Sequence, residues 1–247
     1  MLGMILFLII LTIILMAVIL VGLNYNKRKI SKLPILSPTF RFVNGTFAIV
    51  TIMNSGHYKI FAGQFKNSNS KTVSKQLLKN YWDITNKENG LETVEALVEG
   101  MHSTDYLAMI EANSTNELSQ TTDRKDESNS QTLYEAYKDF GEKAILGWDL
   151  SRANEILSRL YLSDYIDKDT YIDKTIVVSK RIQSAFSSWD DFIKSYMYGY
   201  QYWSHDNPKV DSKKPKNYQQ RERVINLMKN DLNSPLHLDW NTPLKKD

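Results

Sequence analysis

Residues Gly147–Ile166 read GWDLSRANEILSRLYLSDYI, and the spacing of their apolar positions decides the class of fold. Leu150, Ala153, Ile156, Leu157 and Leu160 recur at intervals that set side chains along one face of an α-helix. The stretch is read as one buried helical stripe. Asp149 stands just ahead of it, where a carboxylate can cap a helix by accepting a backbone N–H from its first turn. Trp148, beside it, is expected to be buried and to fix the angle at which the chain begins the helix.

The same periodicity continues toward the C-terminus. Asp167 can cap a helix through KDTYIDKTIVVSKRIQSAF, with Tyr171, Val178, Ile182 and Ala185 along one side. Ser188 and Asp191 form an S-x-x-D start signal of the capping-box kind. The helix behind it aligns Trp189, Phe192, Ile193, Tyr196, Gly199, Tyr200 and Trp203. Aromatic residues at this spacing read as an inward-facing structural stripe, and Gly199 among them implies close approach of another backbone. A basic loop, SHDNPKVDSKKPKN, then leads to a short amphipathic helix, YQQRERVINLMKN. The last segment, NSPLHLDWNTPL, is extended, and its Trp240 is expected to anchor it on the domain.

Toward the N-terminus, Leu91, Val94, Leu97, Val98 and Met101 mark another core face, and LYEAYKDFGEKAIL leads up to Gly147. Between them, residues 113–131 are polar and lack aromatics, so they read as a flexible insertion that cannot bury enough apolar surface to offset its ordering. FRFVNGTFAIVTIMNSG mixes β-branched residues with Gly45, and the helical reading is preferred. KLPILSPT, with two prolines, is an extended connector. The expectation is an all-α protein: an anchor over 1–24, a juxtamembrane basic linker over 25–39, one helical domain over 40–240 and a tail over 241–247.

The anchor rests on Leu2–Leu23, an uncharged run whose single polar side chain is Thr12. As a helix it reaches about 33 Å, enough for a hydrocarbon core of about 30 Å. No basic region precedes it and no small-residue cleavage site follows, which argues against a cleaved signal. Lys27, Arg28, Lys29 and Lys32 follow directly, so the positive-inside rule places the C-terminal side in the cytoplasm and the short N-terminus outside. Of the 31 basic residues against 28 acidic, these four carry the excess; the remaining 27 leave the rest of the chain at −1. That balance points to the lipid bilayer as a partner and away from nucleic acid. With no cysteine, lipid acylation at Cys, disulfides and thiol chemistry are excluded.

The motifs LKNYWDI…LVEGMHSTDY, GWDLSRANEILSRLYLSDYI, SSWDDFIKSYMYGYQYW and SPLHLDW together resemble the bacterial domain-of-unknown-function family 1266, over roughly residues 40–240 with the polar insertion outside the likeness. The resemblance implies a helical domain with a Trp-Asp-x-x-Arg pattern followed by an aromatic Ser-Trp helix. Trp148, Asp149, Arg152, Trp189 and Trp203 match that pattern, whereas GMHS departs from its Gly-His pair. No reaction comes with the family.

Trp148, Asp149, Arg152 and His102 form the candidate functional group. An imidazole with a carboxylate can move protons, and a guanidinium can hold a phosphate or carboxylate. The competing structural reading makes Asp149 a helix cap and pairs Arg152 with Asp149 or Asp190. His57, His102, His205 and His237 lack metal-ligand spacing, and no phosphate-cradling glycine loop is present, so neither metal nor cofactor is expected. The preferred function is a membrane-tethered module that recruits a protein partner, with no catalysis; the alternative is a membrane-bound hydrolase-like enzyme using Asp149, Arg152 and His102. A shared cavity containing His102 and Asp149 would favour the second. The sequence leaves the oligomeric state open.

Overall fold

The computed structural model describes residues 29–114, 124–205 and 216–246. Leu2–Leu23, Lys27 and Arg28 lie outside these; among the described residues no helix is long and apolar enough to cross a membrane. The chain divides into residues 1–35, of which the described part carries exposed Lys29 and Lys32, and Leu36–Asp247. The second unit contains ten α-helices and no strand among its described residues. They are α1 (Pro38–Thr46), α2 (Ala48–Met53), α3 (Ser68–Trp82), α4 (Lys87–Glu99), α5 (Ser103–Ser114), α6 (Arg124–Phe140), α7 (Leu146–Leu162), α8 (Lys168–Ala185), α9 (Trp189–Ser204) and α10 (Lys216–Asn230).

The stretch that decided the fold class is its central helix. α7 packs against α3, α4, α8 and α9, and of its 17 residues only Arg152 and Tyr161 are not buried. The apolar stripe was therefore half of the interior face. The opposite side is enclosed as well, and most of its polar groups find partners, although Asn154 Oδ1 is buried without one. Asn154 Nδ2 donates to Thr46 Oγ1 at 2.8 Å and to Ser179 Oγ at 3.1 Å, and Ser158 Oγ donates to the Ala62 carbonyl at 2.7 Å. At about 1 kcal/mol each, such bonds tie α1, α8 and the turn at Phe61–Gly63 to one axis.

Two glycines let α7 and α9 meet. A Cβ on Gly199 would lie 2.2 Å from Trp148 Cβ and 2.9 Å from the Ile145 carbonyl; one on Gly147 would lie 2.8 Å from the backbone of Phe192 and of Tyr196. The crossing is backbone to backbone, as the position of Gly199 suggested. It lets the Gly147 N–H donate to Ser195 Oγ at 2.8 Å, and that hydroxyl donates to the Lys143 carbonyl at 2.8 Å.

The capping signals behave as their chemistry requires. Asp167 accepts from Thr170 N–H at 2.7 Å, and Ser188 Oγ accepts from Asp191 N–H at 3.1 Å. The aromatic stripe divides. Trp189, Phe192, Tyr196 and Tyr200 are buried, but Trp203 is 55% exposed, because α9 extends beyond the part of the core that covers it. Met101, expected on the inward face of α4, is exposed, since α4 stops at Glu99 and Gly100 takes a left-handed conformation.

Three boundaries also shift. The packed unit starts before residue 40, with Ser37 capping α1. Residues 241–246 are not a free tail: Leu244 is buried, Lys245 N–H donates to Thr39 Oγ1 at 3.2 Å, and Lys246 pairs with Asp173 at 2.8 Å. In the polar insertion, α5 runs to Ser114 and α6 begins at Arg124, so only residues 115–123 of it lie outside the described residues. α5 and α6 close a second small core around Tyr106, Ile110 and Leu133. Trp240 docks as expected, its indole N–H donating to the Phe186 carbonyl at 3.0 Å and its ring packed edge-on against Trp189 at 5.1 Å.

Candidate functional site

Asp149 is not the cap of its own helix. α7 already begins at Leu146, so the residue sits within the first turn rather than before it. Its fully buried carboxylate turns instead to His102 at the start of α5. Oδ2 accepts the His102 backbone N–H at 3.1 Å, and Oδ1 lies 2.5 Å from Nδ1. A negative group there also complements the positive end of the α5 dipole. An ionised carboxylate only accepts, so this contact holds a proton on Nδ1 and leaves Nε2 as the nitrogen that can exchange one.

Further along α7, Arg152 does not pair with Asp149 or Asp190; Asp190 pairs with Lys229 at 2.7 Å. Arg152 Nη1 donates to Glu155 Oε2 at 2.7 Å, while Arg159 Nε and Nη2 reach Oε1 at 2.9 and 2.8 Å. Burial disfavours the Glu155 charge, but the two guanidiniums outweigh it and hold the carboxyl below the usual carboxylate range. Arg152 also stacks between Trp82, at 4.8 Å, and Trp148, at 5.3 Å.

Arg221 arrives from α10. Its Nε donates to the Tyr196 hydroxyl at 3.3 Å and its Nη1 to the Asn217 carbonyl at 3.2 Å. The guanidinium lies 3.7 Å from the Tyr200 ring centre and 5.9 Å from that of Trp148. Burial pushes the Tyr196 hydroxyl up, against the pull of Arg221.

These groups share one cavity of about 410 Å³, lined by His102, Trp148, Arg152, Glu155, Arg159 and Arg221. Tyr81, Trp82 and Trp203 complete its aromatic side. Of the candidate group, His102, Trp148 and Arg152 line this space directly, and Asp149 stands behind the imidazole. Among the described residues no three metal-ligating side chains gather.

Glu155, within two turns of Asp149 and Arg152 on one helix, was not kept in the candidate group, and neither Arg159 nor Arg221 was singled out. Glu155 and Arg159 carry a legible signal: Arg152, Glu155 and Arg159 are three and four apart and so share a helix face. Arg221 carries none, because RER in a polar helix reads like any solvated charged run.

The fold and site thus define an all-helical domain built around a buried polar helix, with a cationic cavity beside it. The chain belongs to the family described as Protein of unknown function (DUF1266), which it matches over residues 77–241. That range includes His102, α7, α9 and Arg221, and begins later than the residue 40 at which the likeness was first placed. Neither a characterised protein nor a solved structure matches the chain significantly.

Proposed function

We propose that this protein is a membrane-tethered, hydrolase-like enzyme acting on a small molecule. The observation that carries this reading is His102, held by the buried Asp149 and opening on the cavity that Arg152, Arg159 and Arg221 line. In this role Nε2 takes a proton from an attacking water and returns it to the leaving group, while the guanidiniums stabilise the negative charge that develops on the attacked group. A module that only docks a protein partner has no need to gather three guanidiniums and an oriented imidazole around an open space.

The test uses the full chain in dodecyl maltoside with three p-nitrophenyl substrates: a carboxylic ester, a phosphomonoester and a phosphodiester. Turnover of one of them, reduced at least 100-fold in His102→Gln at an unchanged melting temperature, is the expected result. Equal rates in the two proteins, or no turnover of any substrate, would overturn the catalytic reading.

Tethering rests on the Leu2–Leu23 run and the basic residues behind it. A reporter fused after Asp247 is expected to read cytoplasmic, with the protein in the membrane fraction at high salt. An external reporter signal, or release by salt, would remove the anchor from the proposal.

A further inference from the structure

We propose that the cavity recognises a phosphate-bearing molecule, its dianionic group held among Arg152, Arg159 and Arg221. This deepens the catalytic reading above, on which it rests for the word substrate, though the binding site stands on observations of its own.

The first observation is charge. The lining carries three guanidiniums and a single carboxylate, so Glu155 leaves about two positive charges unmatched. Arg159 and Arg221 are each only 8% exposed. Desolvated charge of one sign is costly unless an opposite charge is brought to it. The repulsion is concentrated further because Arg152 and Arg221 both lean on the Trp148 indole.

The second is an unused donor. Arg152 Nε is buried and has no hydrogen-bond partner, while the same guanidinium is held rigidly by Glu155 and two indole rings. A buried donor without a partner costs free energy that an oxygen-bearing ligand recovers. Glu155 acts as an internal anion: it keeps the Arg152 and Arg159 forks ordered without cancelling the charge of the site.

The valence of the ligand follows. A phosphomonoester carries about −1.5 to −2 near neutral pH and three acceptor oxygens, which matches two excess charges and three planar donors. A carboxylate would leave about one positive charge uncompensated. Tyr81 and Trp203, 74% and 55% exposed, offer ring faces to the organic part of such a molecule. The phosphate could belong to a soluble metabolite or to a lipid headgroup; the chemistry at the arginines is the same.

The experiment titrates the full chain in dodecyl maltoside with inorganic phosphate, following tryptophan fluorescence and thermal melting, with acetate and chloride at matched ionic strength. Saturable phosphate binding is expected, at least tenfold tighter than acetate. It should weaken at least tenfold in Arg221→Gln and in Arg152→Gln. Arg221→Lys, which keeps the charge but loses the planar fork, provides a second variant should the glutamine form fold poorly, and is expected to weaken binding as well.

Competition by glycerol 3-phosphate assigns a soluble source, and competition by phosphatidic-acid vesicles alone assigns a lipid one. Equal responses to phosphate, acetate and chloride, no saturation, or wild-type affinity in the folded arginine variants would overturn the proposal. Phosphate binding without turnover of any p-nitrophenyl substrate removes the catalytic reading and leaves this site; turnover without phosphate binding removes this site alone.

Discussion

The Tyr58 hydroxyl donates to the Asp231 carboxylate, joining the turn after α2 to the C-terminal end of α10. Because α10 carries Arg221, this bond fixes the position of a cavity guanidinium from the far end of its helix. Tyr58→Phe is expected to cost about 1.5–3 kcal/mol, the range for a hydrogen bond to a charged group, and to weaken the phosphate response.

The same pair predicts a pH window. The hydrogen bond from Tyr58 lowers the Asp231 carboxyl below its ordinary 3.8. Burial first, and Asp231 second, raise the Tyr58 hydroxyl above its ordinary 10.0. The Asp231 contribution is therefore complete above 3.8 and lost as pH falls through the folded value; the Tyr58 contribution is complete below 10.0 and lost as pH rises toward the folded value. Urea unfolding of wild type and Tyr58→Phe should differ by a constant amount inside that window and converge outside it. A difference independent of pH across the whole range would refute this coupling.

Gly199→Ala puts a methyl group into Trp148 Cβ and the Ile145 carbonyl, neither of which can turn aside. It is expected to cost more than the 1–3 kcal/mol usual for overpacking. Gly90→Ala meets chiefly the ends of the Leu160 side chain, which can change rotamer, so its cost should be smaller despite a close contact of 2.4 Å. Chemical denaturation of the two variants ranks them; the reverse order would contradict a backbone crossing at Gly199.

A simple cap would tolerate Asp149→Asn, but a carboxylate that accepts from two His102 donors would not. An amide can accept only through its oxygen, so its NH₂ group opposes one of the two His102 donors. The expected cost is about 1–3 kcal/mol, the penalty for a mispaired buried polar group. Nitrogen NMR of the imidazole should show a loss of preference for the proton on Nδ1. A wild-type melt together with unchanged imidazole signals would restore the capping role.

The two ends of the aromatic stripe should separate in a melt. Trp189→Ala is expected to lose about 3–5 kcal/mol as a core aromatic, since the ring is buried and its N–H donates to the Leu238 carbonyl at 3.1 Å. Trp203→Ala should remain within about 0.5 kcal/mol of wild type, as for an exposed position, while altering the fluorescence response to phosphate. Comparable losses at the two positions would mean that Trp203 is covered.

Helical periodicity and caps made the class of fold legible because both are local: Leu150 to Leu160 state a face, and Asp167 and Ser188 state two beginnings. What encloses a helix is not local. Nothing near Asn154 indicates that Thr46 and Ser179 will meet it, so the polar side of α7 looked like a solvated surface. For the same reason the Asp149 carboxylate looked like a cap, its partner His102 lying 47 residues away. The cavity needed α2, α3, α7, α9, α10 and His102 at the head of α5 in place together, and its arginine from α10 had no signature in sequence.

The glycine crossing limits how a ligand can be exchanged. With no side chain between them at Gly147 and Gly199, α7 and α9 cannot close further, and the Ser195 hydroxyl, which accepts from the Gly147 N–H and donates to the Lys143 carbonyl, resists their parting. Exchange is expected past the exposed rings of Tyr81 and Trp203, whose rotamer changes take picoseconds to nanoseconds against microseconds or longer for helix displacement. The association rate of this site is accordingly governed by diffusion past two swinging side chains, and the lifetime of the complex by the arginines within.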